Sequence, residues 1–435
     1  MDIRLPSPCT CGKTHPVPRI ELLSGRGAIE ALPEKIRLRG LSRPFLVYDV
    51  HTAPYADAVK SLLSRAGIAF SAYGFPEAGL APDERAAGSL AMHFDPRSDL
   101  VIAVGSGVLN DLGKLLAHLS GRSYFIVATA PSMDGFASAT SSMDRDGLKV
   151  SLPTRAADLI AGDTAILREA PEIMLKAGLG DMLAKYISIL EWRISNLVTG
   201  ESYCEEIASL VRAALEKCVS QTDGLLARED AAVEAVFEGL VLGGMAMTLA
   251  GASRPASGVE HYFSHLFDMR RLAFGTHQEL HGVQCAAATG IAAGLYRRTL
   301  LLKPDRERAL AYVRRFDRDE WNRRLRRLVG PGAEAMIALE EKEGKYDLAK
   351  HEKRLDVILA HWDGVTRIIR EELPSKEKLD GILKKLSLPE SVGALADPGT
   401  LREIFFATKD VRDKYVLSRL LWDLGELEEI EVGAL

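Results

Sequence analysis

Four of the chain's ten histidines, His261, His265, His277 and His281, lie within residues 261–281. His261/His265 and His277/His281 are both spaced i,i+4, so on helices each pair would share one face. Imidazoles gathered in this way suit a divalent first-row transition metal better than Mg²⁺ or Ca²⁺. A catalytic metal takes about three protein ligands and keeps a position open, so a carboxylate should join two of these histidines. Asp181, in Gly178-Leu179-Gly180-Asp181, offers one. It stands at the expected start of a long helix through Met182 to Val198, where capping that helix is an equally adequate role. Histidines scattered over a surface or at helix ends are the competing reading of the cluster.

Two glycine-containing loops carry a second kind of chemistry. Gly105-Ser106-Gly107-Val108-Leu109-Asn110-Asp111 follows the apolar run Leu100–Val104 and opens a helical pattern. Glycines there let the backbone turn tightly and approach a ligand, while the free N–H groups of a helix start favour a diphosphate. The spacing is neither GxGxxG nor a P-loop, because Lys114 is followed by Leu115 rather than by Ser or Thr. A plain strand-to-helix turn is the alternative. The next apolar run, Tyr124–Val127, leads into Thr129-Ala130-Pro131-Ser132-Met133-Asp134. Ligands of open α/β sheets lie at such strand ends, so Thr129 and Ser132 could bond a cofactor and Asp134 a polar substrate. An Asx turn at Asp134 would equally account for that residue.

The elements that must hold these residues change character once along the chain. Up to about residue 167, Phe45–Tyr48, Leu100–Val104, Tyr124–Val127 and Leu159–Ala161 alternate with helical stretches, the pattern of a mostly parallel sheet with crossover helices. From Pro171 the strand pattern stops, and Met182–Val198, Tyr203–Lys217 and Asp230–Ala250 carry apolar residues at helical spacing. The expected organisation is an α/β Rossmann-like nucleotide-binding domain over residues 1–168 and an all-α domain over 169–435. The mixed Arg, Lys and Glu of 301–375 read as solvated helix faces. Basic and acidic residues number 55 and 60, for a net charge of −5, which leaves no electrostatic footprint for nucleic acid or an anionic membrane. The apolar run Gly239–Ala252 is too short to span a bilayer and is expected as a core helix. Five cysteines, odd and sparse, point to a reducing compartment, with the cytoplasm as default. The N-terminus has no signal-peptide pattern.

Taken together, Gly105-Ser106-Gly107 with Asp111, Thr129–Ser132 with Asp134, Gly180-Asp181, and Ser253-Arg254-Pro255-Ala256-Ser257-Gly258-Val259-Glu260-His261 followed by His265 and His281-Gly282 resemble the glycerol dehydrogenase and iron-containing alcohol dehydrogenase superfamily. Within it they are most similar to the sn-glycerol-1-phosphate dehydrogenases, and Cys9-Thr10-Cys11-Gly12 looks like the bacterial branch. The resemblance covers about residues 20–300 and implies a dehydroquinate synthase-like fold. It makes Asp181, His261 and His281 ligands of one divalent metal (zinc, nickel or iron). It assigns Gly107, Val108, Leu109, Asn110 and Asp111 to the cofactor diphosphate, and Thr129, Ala130, Pro131, Ser132 and Ser138 to its nicotinamide half. Asp134, Asp181 and His265 would meet substrate, with Asp181 and His265 as the catalytic pair. Asp49, at the end of Phe45–Tyr48, would take the adenosine ribose and so favour NAD(H) over NADP(H), or simply end the strand in a turn.

The reaction implied is reversible hydride transfer between NADH and dihydroxyacetone phosphate, a small phosphorylated triose, in a homodimer or larger homo-oligomer. Glycerol or polyol oxidation, a dehydroquinate synthase-like lyase that recycles its cofactor, and a metal-binding protein without catalysis are the alternatives. The substrate phosphate needs a cation, for which Arg254 and Lys185 are candidates unless they form structural ion pairs. Phe267 stands where the family suggests tryptophan, and His277 has no counterpart there. Cys9, Cys11 and His15 could clamp a second zinc, although no fourth ligand is evident, or could be ordinary terminal residues.

Overall fold

The computed structural model describes residues 8–17, 19–146, 148–277, 279–388 and 395–430. Its central sheet has six parallel strands: β1 (Glu21–Gly25), β2 (Pro44–Asp49), β3 (Ser71–Phe75), β4 (Leu100–Gly105), β5 (Ser123–Ala128) and β8 (Leu159–Asp163). The order across the sheet is β1-β8-β5-β4-β2-β3. Between β5 and β8 the chain makes an antiparallel hairpin of β6 (Thr140–Arg145) and β7 (Leu148–Pro153).

The central strands β4 and β8 are buried along their whole length. They are therefore apolar on both faces rather than alternating, as parallel strands covered by helices are. On one face Leu46, Ile102, Val104, Phe125, Val127, Leu159 and Ala161 pack with Leu32, Ile36, Val59 and Leu63 from the helices Leu32–Leu38 and Ala53–Arg65. Helix Gly107–Ser120 lies close against β4 and β5. A Cβ at Gly113 would come 2.8 Å from the Tyr124 ring and 2.9 Å from the Ala103 methyl. After β3 the chain returns past β2 to form β4, so the direction of winding reverses between β2 and β4. Asp49 and Gly105 end the two strands that flank this switch point, where open α/β sheets bind their ligands.

No strand follows β8 among the described residues. The molecule forms two compact units, Met1–Met182 with Ser209–Ala252, and Leu183–Ala208 with Ser253–Leu435. The boundary expected at 168/169 therefore differs from this discontinuous division. The reason is the helix Asp230–Ala250, which packs onto the sheet. Phe237 of this helix is edge-on to Phe136 at 5.7 Å, and its ring fills the space a Cβ at Gly162 of β8 would need. Glu238 accepts a hydrogen bond from Ser24 of β1. By length and composition this helix could cross a membrane, but 72% of its most apolar window is buried inside the protein. It is a core helix, as its sequence suggests. In the second unit the helices Lys185–Thr199, Val259–Phe274 and His281–Thr299 carry the histidine region.

Candidate active site

In the first unit, β4 and β5 are in register from Leu100↔Ser123 to Gly105↔Ala128, so the two glycine-containing loops leave the sheet at the same level. They are tied together directly. Thr129 N–H donates to the Gly105 carbonyl at 3.0 Å, and the Ser106 and Ser132 hydroxyls are 2.5 Å apart. Ser106 precedes helix Gly107–Ser120 without capping it through its side chain. Gly105 is needed sterically, since a Cβ there would fall 2.3 Å from Leu109 in the first turn of that helix.

Asn110 and Lys114, one turn apart, reach across to the second loop. Asn110 Nδ2 donates to the Gly135 carbonyl at 3.2 Å, and the Lys114 ammonium donates to the carbonyls of Gly135 (3.0 Å), Ser138 (3.4 Å) and Thr140 (2.5 Å). Asp111 pairs with Lys114 at 3.2 Å. Burial raises the Asp111 carboxyl against the pull of that lysine, and burial likewise lowers the Lys114 ammonium. Asp111 thus has a structural partner inside the expected diphosphate loop. Ser138 hydroxyl meets that of Thr140 at 2.9 Å.

Asp181 corrects one expectation. It lies two residues before the end of helix Glu172–Leu183, so it caps nothing, and the helix expected over Met182–Val198 begins instead at Lys185 after a break at Ala184. The glycines at 178 and 180 do not start a helix. Gly178 allows the helix to pass over the second loop, where a Cβ would sit 1.7 Å from the Pro131 carbonyl oxygen. That approach puts Asp181, fully buried, where its Oδ2 accepts the Asp134 backbone N–H at 2.8 Å.

In the second unit His261 and His265 share helix Val259–Phe274, His261 buried and His265 half-buried. His281 begins helix His281–Thr299. The His261 and His281 rings are 5.0 Å apart, and ligand atoms of His261, His281 and Cys285 lie within 4.8 Å of one another. Each of the two imidazoles has its Nδ1 taken. His261 Nδ1 is 2.9 Å from Glu260 Oε1, and His281 Nδ1 is 2.9 Å from the Ser264 hydroxyl, which itself donates to Gln284 Oε1 at 2.6 Å. A carboxylate can only accept, and a hydroxyl whose proton is already given accepts from the ring, so both Nδ1 atoms carry hydrogens and Nε2 is the metal-facing nitrogen, which in His281 stands 3.6 Å from the Cys285 sulfur. The donor set fits a divalent transition metal. His277 is not part of it: it is exposed in the stretch after the helix ends at Gly275 and pairs with Glu279 at 3.0 Å.

A second buried acid, Glu191, lies close to Glu260. Glu191 accepts from Val259 N–H, Tyr296 hydroxyl and Leu417 N–H, and burial with Glu260 nearby pushes its carboxyl up to about 8. Burial raises Glu260 to about 7. A Cβ at Gly258 would fall 2.6 Å from the Glu191 and 2.8 Å from the Glu260 carboxyl oxygens, so a side chain there would displace both carboxyls. Sequence reading missed Ser264, Gln284, Cys285 and Glu191. Ser264 is three residues from His261, and Cys285 is four from His281; helical spacing from the chosen histidines would have found both.

Arg254 is a structural residue rather than a phosphate anchor. It is 2% exposed, forks onto Glu201 (Nε–Oε1 2.9 Å, Nη2–Oε2 2.7 Å) and donates further to the Tyr415 carbonyl and the Ser195 hydroxyl. Lys185, also fully buried, donates to the Ala256 carbonyl at 3.2 Å. In the first unit Asp49 Oδ1 accepts from His51 N–H, Thr52 N–H and the Thr52 hydroxyl, so it does end its strand in a turn.

A six-stranded parallel sheet with paired loops at the ends of β4 and β5 suits a nucleotide cofactor, and a helical unit bearing oriented imidazoles suits a divalent metal. Residues 23–171 match the iron-containing alcohol dehydrogenase family. A glycerol-1-phosphate dehydrogenase [NAD(P)+] of Halalkalibacterium halodurans is 34% identical over 299 residues, covering 68% of this chain and 75% of the relative. Its counterpart from Bacillus licheniformis is 32% identical over 349 residues, 77% of this chain and 86% of the relative. Among solved structures, an archaeal halo-thermophilic alcohol dehydrogenase from a Red Sea brine pool superposes with a TM-score of 0.61 over 98% of this chain and 99% of that one, at 13% identity, which shows a shared fold. The chain belongs to the glycerol-1-phosphate dehydrogenase family.

Because Arg254 is closed off by its own partners, Arg254→Ala is expected to lower stability by on the order of 1–3 kcal/mol, the cost of leaving the buried Tyr415 carbonyl and Ser195 hydroxyl without their donor. Thermal unfolding checks this. An unchanged midpoint with a raised KM for a phosphorylated substrate would return Arg254 to the substrate site.

Proposed function

We propose that this chain catalyses the reversible, NAD(P)-dependent and metal-dependent reduction of dihydroxyacetone phosphate to sn-glycerol 1-phosphate. The observation that carries the reading is the pair His261 and His281, each oriented by the protein through Nδ1, in a chain whose curated relatives are named for that activity. Asp181, His261 and His281 hold one divalent ion, zinc, nickel or iron. When bound, such an ion acts as a Lewis acid on a carbonyl oxygen.

The remaining roles belong to the chain's own residues. Gly107, Val108, Leu109, Asn110 and Asp111 receive the cofactor diphosphate at a helix start, where the N–H groups of Gly107, Val108 and Leu109 precede the first helical hydrogen bond, from Asn110 N–H to the Ser106 carbonyl. Thr129, Ala130, Pro131, Ser132 and Ser138 line the nicotinamide half. Asp134 and His265 bind substrate, and His265 or a bound water moves the proton at the substrate oxygen. The α/β part over residues 1–168 is the nucleotide half, and the helical part over 169–435 supplies the metal donors. The five free thiols support a cytoplasmic setting, and the resemblance supports a homodimer or larger homo-oligomer.

NADH is the preferred cofactor in this reading. The turn uses only Oδ1 of Asp49, which leaves Oδ2 to accept from a ribose hydroxyl and to repel a 2′-phosphate. Titrating both reduced nucleotides tests this: Asp49→Asn should narrow the discrimination, and a wild type that favours NADPH overturns it.

The activity itself is tested by NADH oxidation with dihydroxyacetone phosphate, glycerone and glyceraldehyde 3-phosphate side by side, with and without a chelator. The expected result is net NADH oxidation lost on chelation, lost in His281→Ala, and favouring the phosphorylated ketone by more than about tenfold in kcat/KM, since a site built for a phosphate leaves a charge unpaired without it. Equal kcat/KM for the two ketones points to a plain glycerol dehydrogenase, and no net oxidation to a cofactor-recycling lyase.

Ser264 supplies an independent check on the metal. Ser264→Ala removes the partner of His281 Nδ1 and should weaken metal affinity about 10–100-fold, read by competition against a chromogenic chelator. Unchanged affinity would remove His281 from the ligand set.

A further inference from the structure

A second donor cluster lies outside the proposed active site, in the segment before β1. Cys9, Cys11 and His15 bring their ligand atoms within 4.8 Å of one another, and Cys11 Sγ stands 3.2 Å from His15 Nε2. Two donors bound to one tetrahedral zinc, at the usual Zn–S and Zn–N lengths, are about 3.5 Å apart. The backbone is folded to hold them. Gly12 N–H donates to the Cys9 carbonyl at 2.8 Å, Cys9 N–H donates to the Lys13 carbonyl at 3.1 Å, and Gly12 sits at φ +77°, left-handed backbone that glycine adopts without strain. No side chain crowds Gly12, so the glycine serves the turn alone.

The imidazole is oriented as well. His15 Nδ1 lies 2.8 Å from the Leu249 carbonyl, in the last turn of helix Asp230–Ala250, where carbonyls lack partners within the helix. A carbonyl only accepts, so Nδ1 carries the hydrogen and Nε2 presents its lone pair toward Cys11. This is the same arrangement that orients His261 and His281, here with thiolate neighbours.

We infer that Cys9, Cys11 and His15 bind a zinc ion, separate from the dehydrogenase metal. The ion anchors the N-terminal segment, whose described residues form neither helix nor strand before Glu21.

Cobalt substitution of the full-length protein tests the inference. Tetrahedral cobalt bound by thiolates gives thiolate-to-metal charge transfer in the near ultraviolet and intense visible bands. The expected outcome is that this spectrum appears in the wild type, persists in Cys285→Ser and His281→Ala, and disappears in Cys11→Ser with loss of one metal equivalent per chain. His15→Gln should keep the thiolate bands and release metal to a chelator about tenfold faster or more. A wild type without thiolate bands, or the same spectrum retained in Cys11→Ser, overturns the site. The spectrum reads thiolate ligation rather than turnover, so this outcome is independent of whether the proposed dehydrogenase activity holds.

Discussion

One buried ammonium holds the nucleotide half of this protein in shape. Lys114 is 1% exposed, and its charge is satisfied by Asp111 and by three backbone carbonyls of the segment Gly135–Thr140. Burying an unpaired charge would cost many kcal/mol, so the segment after the second loop must bring its carbonyls to that nitrogen. The consequence spreads outward. With Gly135 fixed, the loop from Thr129 to Asp134 is pinned at both ends, at Gly105 through Thr129 N–H and at Lys114. The Asp134 N–H then meets Asp181, and the helix Glu172–Leu183 has to lie over Pro131, which only a glycine at 178 allows.

The helical unit uses the same logic with the opposite sign of charge. Glu191 and Glu260 are acids buried together, with burial raising both. Glu191 spends its oxygens on the backbone of Val259 and Leu417 and on Tyr296, which fixes the start of helix Val259–Phe274. Glu260 spends Oε1 on Gly258 N–H and on the His261 ring. Glu260 thereby positions the imidazole one residue away, and Glu191 fixes the start of the helix that carries it. Arg254, at the front of the same motif, closes the arrangement onto Glu201 and Tyr415 rather than facing a ligand.

Legibility in the sequence followed burial. The strands buried on both faces were readable as unbroken apolar runs, whereas β1 and β3, the edges of the sheet, have half-buried residues and no such run, and both were missed. The β6–β7 hairpin carries polar residues throughout and was also invisible. Helical spacing correctly paired His261 with His265 but not His277 with His281, because one helix ends at Phe274 and the next begins only at His281, leaving His277 between them. Asp181 was misplaced at a helix start because Gly178 and Gly180 look like punctuation; Gly178 instead allows close approach to the Pro131 backbone, which one sequence does not display. Ser264, Gln284 and Lys114 act through hydrogen bonds to groups distant in sequence or to bare carbonyls, and nothing in their local pattern announces this.

Asp49 shows why a structural role and a binding role need not exclude one another. Its carboxylate ends β2 beside the switch point, and one oxygen alone satisfies the turn into His51 and Thr52. An ionised carboxylate accepts about four hydrogen bonds over its two oxygens. A turn that draws all of its bonds to Oδ1 orients the group rigidly and leaves Oδ2 with its lone pairs at the carboxyl edge of the sheet. The turn is then the means by which the second oxygen is held ready, since a side chain without those bonds would sample several rotamers and pay entropy on meeting a ribose. The same economy recurs at His15, His261 and His281, where one ring nitrogen is spent on the protein so that the other is presented in a single orientation.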